Sequence, residues 1–309
     1  MLTRLSLPSA VLVSAALLAG LAGCAGASAT AETGGSPGAT ISVVASTDVY
    51  GDIAAQIGGD RVSVTSLIDD PNKDPHEYQA SGQNQLAVSK ADIVIENGAG
   101  YDDFIDSMRS SAKNPDVVVL NAAKLSGFDL EPADGDFNEH LWYDFATVQK
   151  VSTALTDALS RIDPSDAATF AANAATFASG LDGLTATESD LKVTAAGRGV
   201  LITEPVPLYM LAAIGMVNRT PEAFSRAVEN DSDAPPDVLA ATTGLLAAHQ
   251  VAILVYNSQT SGAQTDAVLA AAAAASIPVV PVTETLPAGD TYLSWMTQNL
   301  AALKVALTT

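Results

Sequence analysis

Two histidines and two glutamates in this chain stand where their side chains could hold a divalent cation. His76 lies in Asp74-Pro75-His76-Glu77-Tyr78, His140 in Asn138-Glu139-His140-Leu141-Trp142, Glu204 in Thr203-Glu204-Pro205 and Glu284 in Thr283-Glu284-Thr285. Imidazole nitrogen and carboxylate oxygen are the donors that zinc and manganese accept. Each residue also has a plainer structural use. His76 suits a turn beside Pro75, His140 beside Trp142 suits a core position, and the two glutamates suit the starts of following helices. His249 stands at a helix end before an apolar strand, where an imidazolium complements the helix dipole, and is read as structural. The four ligand candidates say more together than singly, because each sits on a loop that follows a strand.

The elements that must position them are short apolar strands alternating with helical segments. Strands are expected at 41–47, 62–68, 93–97, 117–120, 199–203, 251–256 and 277–282, with helices between them. Near-continuous apolar strands in such alternation point to parallel sheets covered on both faces. A helix over 145–161 stops near Asp163-Pro164, and a longer Ala-rich helical stretch without proline follows from Ser165. The fold class is therefore α/β, with two lobes of parallel sheet joined by one long helix. Residues 41–164 form the first lobe, 165–196 the bridging helix and 197–309 the second lobe. In such sheets ligand groups gather at the carboxyl ends of strands. Two candidates fall in each lobe, as a site in the cleft between them requires. The segment Glu222 to Pro236, polar with a Pro-Pro pair, reads as an ordered surface loop.

Asp74-Pro75-His76-Glu77-Tyr78, Ala91-Asp92-Ile93-Val94 with Asn97-Gly98-Ala99-Gly100, and Asn138-Glu139-His140-Leu141-Trp142 occur here in that order. In this the chain resembles the zinc/manganese solute-binding proteins (cluster A-I), the extracytoplasmic receptors of metal ABC importers. The resemblance spans 41–309. It implies two α/β lobes bridged by a rigid helix and a metal held between them. It places the third ligand on Glu204, with Tyr209 downstream, and the fourth, usually an Asp, on Glu284. It implies capture of Mn2+ or Zn2+ and delivery to the membrane subunits of an ABC permease. Gln79-Ala80-Ser81 and Tyr143-Asp144-Phe145 depart from the family pattern, as does a Glu at the fourth position. Two imidazoles and two carboxylates suit zinc in a tetrahedron, and manganese if the carboxylates bind through both oxygens. With only 3 histidines the chain has no histidine-rich loop, which tips the balance to manganese with zinc close behind.

The first 40 residues speak to location. Met1 to Arg4 is a short cationic start, Val11 to Leu21 an apolar run, and Leu21-Ala22-Gly23-Cys24 looks like a lipobox. Residues 1–23 are read as a signal peptide, Cys24 as the lipidated N-terminus and 24–40 as a flexible tether. The protein is thus expected outside the cell membrane, held there by lipid only and as a monomer. Cys24 is the only cysteine, so the folded part has no disulfide. With 35 acidic against 14 basic residues the net charge is -21, which argues against nucleic acid and anionic membrane surfaces as partners. Two other functions compete with the receptor. A metal-dependent hydrolase would use Glu77 or Glu139 as general base, but four protein ligands leave no position for an attacking water. The sequence also has no His-Glu-x-x-His, nucleophile elbow or phosphate-cradling glycine loop. A surface adhesin is the other, and nothing in the sequence requires it.

Overall fold

The computed structural model describes residues 40–70, 78, 80–133 and 137–308. The leader, the tether, Cys24 and His76 lie outside these described residues. From Ile41 the chain runs β1 (Ile41–Thr47), α1 (Asp48–Gly58), β2 (Val62–Ile68), α2 (Gly82–Lys90), β3 (Ile93–Glu96), α3 (Asp103–Ala112), β4 (Val118–Asn121), α4 (Ala122–Ser126) and α5 (Phe145–Ile162). The long helix α6 (Ala167–Ala195) follows. Then come β5 (Gly199–Ile202), α7 (Leu208–Ala213), β6 (Val217–Asn218), α8 (Glu222–Glu229), α9 (Pro236–Ala247), β7 (Ile253–Asn257), α10 (Ala263–Ala274), β8 (Val279–Val282) and α11 (Tyr292–Thr308).

The strands form two parallel sheets with the same wiring, β2-β1-β3-β4 and β6-β5-β7-β8. Val44 of β1 is in register with Thr65 of β2 and Val94 of β3, and Leu201 of β5 with Leu254 of β7. The inner strands bury consecutive residues, Val43 to Ala45, Ile93 to Ile95 and Ile253 to Val255, because helices cover both faces. β8 tolerates Pro281 because it is an edge strand, with no further strand beside it among the described residues to receive a backbone donor. In each sheet the chain leaves its first strand to one side and returns on the other. The crevice at the carboxyl ends of β1 and β3, and of β5 and β7, is where such sheets gather ligand groups.

Helix α6 buries Phe170, Phe177, Leu181, Leu184, Glu188, Leu191 and Ala195. Their spacing of three, four and seven marks one face of a helix. That face packs against α1 and α5 from the first half and α7 and α11 from the second. At 29 residues it is about 43 Å long. Gly180 lets α11 approach closely, since a side chain there would put its first carbon 2.5 Å from a methyl of Leu293. One apolar core, including Val43, Trp142, Phe177, Ile202 and Trp295, runs through both halves.

The structure corrects the expectation of a surface loop over 222–236. Residues Glu222–Glu229 form helix α8, with Phe224 and Val228 buried against Leu201, Leu246 and Leu254. Two apolar residues four apart in eight are enough to seat a short helix once a core is present.

Candidate metal centre

His140 reaches the centre on a loop that the first half holds from several sides. The Asn97 side chain, at the end of β3, donates to the Glu139 carbonyl at 2.9 Å and accepts from the Tyr50 hydroxyl at 2.5 Å. The turn after β3 is tight. Gly98 has φ 78°, and an added side-chain carbon would stand 2.4 Å from the Asn121 amide, so only glycine fits. Asp102 closes the same turn by accepting from the backbone N–H groups of Asn97 and Gly98 at 2.6 and 2.7 Å. The His140 ring, 1% exposed, lies beside Trp142 with centroids 5.2 Å apart and the planes at 64°.

Asn138 sets the ring's chemistry. Its Oδ1 accepts from the His140 backbone N–H at 3.2 Å and faces Nδ1 at 2.8 Å. An oxygen can only accept, so Nδ1 carries the proton and Nε2 presents its lone pair whenever the ring is neutral. Nε2 finds no hydrogen-bond partner among the described residues.

The second half answers with carboxylates. Glu204 follows β5 and Glu284 follows β8, both buried. Neither caps a helix by its side chain; α7 starts after Pro207 without a side-chain cap. Instead Asn257, the last residue of β7, donates from Nδ2 to Glu204 Oε2 and, at 2.8 Å, to Glu284 Oε1. Gln259 then fixes the loop after β8, its Oε1 accepting from the N–H groups of Glu284 and Thr285 at 2.5 and 3.1 Å. Glu284 Oε2 lies 3.7 Å from His140 Nε2. Two ligands each about 2.1 Å from one ion stand roughly 3 to 3.5 Å apart, so a small contraction brings this pair onto a shared cation.

The halves are stitched around this point. Asn138 Nδ2 donates to the Pro205 carbonyl at 3.2 Å, Tyr209 to the Asn138 carbonyl at 2.7 Å and Tyr143 to the Thr283 carbonyl at 2.8 Å. Farther out, Asp48 and Asp52 of α1 accept from the N–H groups of Leu286 and Tyr292 at 3.1 and 2.7 Å.

Electrostatics follow from burial among like charges. Burial is the largest influence on Glu204 and lifts its carboxyl to about 7, helped by Glu284. Burial lifts Glu229, at the end of α8, to about 8, opposed by His140. On His140 burial alone pushes downward, but Glu284, Glu139 and Glu229 outweigh it and carry the ring up to about 9. An anionic pocket that raises a histidine is one that would welcome a divalent cation in the proton's place.

Of the sequence candidates, the structure brings together His140, Glu204 and Glu284; His76 lies outside the described residues. Two neighbours had not been singled out. Asn257 ends a strand at the point where the sheet's winding reverses, a positional signal that was available. Glu229 gave no signal, since its helix was read as a loop. It stands with Glu139 and His140 in a cluster whose donor atoms all lie within 4.8 Å of one another.

Residues 43–306 match the family described as zinc-uptake complex component A, periplasmic. The chain belongs to that family. Among curated relatives of the chain, the manganese-binding lipoprotein of Halalkalibacterium halodurans is 31% identical over 44% of this chain and 45% of its own. The manganese ABC transporter substrate-binding lipoprotein of Streptococcus pneumoniae is 21% identical over 85% of this chain and 88% of its own. The fold of this chain is also seen in the Mn-bound periplasmic metal binding protein from Candidatus Liberibacter asiaticus. It superposes with a TM-score of 0.68 at 18% identity, over 86% of this chain and 98% of that one.

Proposed function

We propose that this protein captures a divalent cation, Mn2+ or Zn2+, outside the cell membrane and hands it to the membrane subunits of an ABC importer. The observation that carries the reading is the meeting of His140 with Glu284 across the two halves, Nε2 facing Oε2 at 3.7 Å, with Glu204 tied to the same asparagine. His76 completes the ligand set with His140, Glu204 and Glu284. Three of these four, His140, Glu204 and Glu284, are buried polar residues with no helix-capping side chain among the described residues, which supports a binding use. The donor set is rich in oxygen and favours manganese when the carboxylates bind through both oxygens. We read the protein as a carrier and not an enzyme, and Cys24 as its lipid anchor behind the leader 1–23 and tether 24–40. In this reading α6, within 165–196, is the strut between a lobe of 41–164 and one of 197–309, and limits how far they can part.

The test is elemental analysis of metal-stripped protein equilibrated with equal Mn2+ and Zn2+. One tightly held ion per chain is expected, absent from the His76→Ala protein. If the unaltered protein retained no ion, the receptor reading would fall and the buried glutamates would need another explanation.

A further inference from the structure

The gap between His140 and Glu284 is spanned a second time, by a phenol. One tight turn, Leu141–Tyr143, follows His140, and the Tyr143 N–H donates to the His140 carbonyl at 3.1 Å. That bond fixes the histidine and the tyrosine to a single rigid turn. From it the Tyr143 ring, fully buried, crosses to the second half. Its O–H donates at 2.8 Å to the carbonyl of Thr283, the residue before Glu284. A circuit therefore runs from His140 through the turn, the phenol and the Thr283 carbonyl to Glu284, and closes across the 3.7 Å between Oε2 and Nε2.

The surroundings hold the phenol still. Asn299 of α11 donates to its oxygen at 3.3 Å, so the hydroxyl accepts from one side and donates to the other. Trp295 meets the ring edge-on, with centroids 5.7 Å apart and the planes at 75°. Tyr292 of α11 reaches back in the opposite direction, its O–H donating to the Trp142 carbonyl on the same turn at 2.6 Å. Burial raises the Tyr143 phenol far above its ordinary value, so it keeps its proton and remains a donor. The hydrogen bond resists stretching and the bulk of the oxygen resists compression, which makes the phenol a spacer of fixed length.

Resting on the receptor reading, we propose that the Tyr143 hydroxyl is a positioning group that fixes the separation of the His140 and Glu284 donors and thereby sets which divalent cation the site prefers. It acts through the backbone of Thr283, not on a donor atom. At 3.7 Å the donors stand wider than the roughly 3 to 3.5 Å that two zinc ligands span. At the same angle about the metal, Mn2+, the larger ion, spreads its ligands farther than Zn2+. Zinc asks the pair to contract, and the spacer opposes that. Geometry must carry the choice, because raw affinity at most such sites favours zinc.

Titration of the metal-free protein with Mn2+ and with Zn2+, each alone and against a competing chelator, tests this. Tyr143→Phe keeps the ring beside Trp295 and removes only the oxygen. It is expected to weaken Mn2+ binding about 10-fold and Zn2+ binding less than about 3-fold, moving the ratio of the two constants toward zinc. An unchanged ratio overturns the proposal, whether both ions weaken equally or neither does, because the hydroxyl then only supports the fold. A shift toward manganese overturns it as well. If Tyr143→Phe does not fold, Asn299→Ala decides, since it leaves the hydroxyl but frees it to turn. The same shift by a smaller factor is expected there, and an unchanged ratio overturns the proposal. An unaltered protein that binds neither ion overturns the receptor reading beneath, and the proposal with it.

Discussion

The two sheets are wired alike and put an asparagine at the end of the corresponding strand, yet they use it differently. In the first half Asn97, after β3, holds a backbone carbonyl, and the histidine it positions is fixed by Trp142 and by Asn138 on its own loop. In the second half Asn257, ending β7, binds the carboxylates proposed as ligands, Glu204 and Glu284, directly. One half orients its donor by packing and backbone, the other by a single amide shared between two like charges. The difference teaches where each half is fragile. Packing spreads a perturbation over many neighbours, whereas the amide concentrates it.

His140→Ala removes the proposed donor and is expected to weaken metal binding by more than 100-fold. Asn257→Ala leaves every proposed ligand in place, yet frees Glu204 and Glu284 to repel one another, and outer partners of ligands typically matter by about 10- to 100-fold. Asn97→Ala, the matching change in the first half, is expected to cost less than Asn257→Ala, since Asn138 and Trp142 still hold the ring. Isothermal titration of the three proteins orders them. Equal losses in the two asparagine variants would break the comparison.

Much of this was legible in the sequence, for physical reasons that differ by element. β1, β3 and β7 are apolar runs that no other element explains, and α6 shows itself as a long Ala-rich stretch without proline. His140 was visible because its motif has a fixed neighbourhood. α8 was not, because Phe224 and Val228 sit in a polar stretch between Pro221 and Pro235, too short for periodicity to register. Its meaning comes from Leu201 and Leu254, which meet it only after folding. Asn257 was masked by the apolar run that it closes. Glu204 and Glu284 could be placed after strands, but nothing local said that one amide would join them.

Protons offer the next measurement, because each half sets the charge of the other. An unperturbed histidine near 6.5 would leave affinity flat above neutrality. With His140 raised to about 9 by the carboxylates that override its burial, the metal-free ring is charged at pH 7. A cation must displace that proton. Affinity is therefore expected to rise by up to about tenfold per pH unit from 7 toward 9. Calorimetry in buffers of different ionisation enthalpy should register the released proton. Glu284→Gln removes the chief partner of the ring and is expected to bring the break down toward 6.5, besides weakening binding. A flat profile above pH 7 in the unaltered protein would show that the halves do not share charge in this way.

The smallest effect lies at the seam between the halves. Glu188 interrupts the apolar face of α6 at a buried position, and burial lifts its carboxyl to about 8, with Asp144 adding repulsion. A carboxyl whose folded value lies above its unfolded one favours the fold fully below pH 4.5, and that contribution is lost as pH climbs through about 8. Because water still reaches the group, the loss is roughly 1 to 2 kcal/mol, less than the full shift implies. Glu188→Gln keeps the shape and removes the charge. It is expected to raise the unfolding midpoint at pH 8.5, to change it little at pH 4.5, and to leave metal affinity untouched, since among the described residues Glu188 makes no hydrogen bond or ion pair with a proposed ligand. Urea unfolding at the two pH values checks the first point and titration the second. A variant with the same pH slope as the unaltered protein would mean that Glu188 ionises freely. The seam would then be wetter than its packing against α5 and α11 indicates.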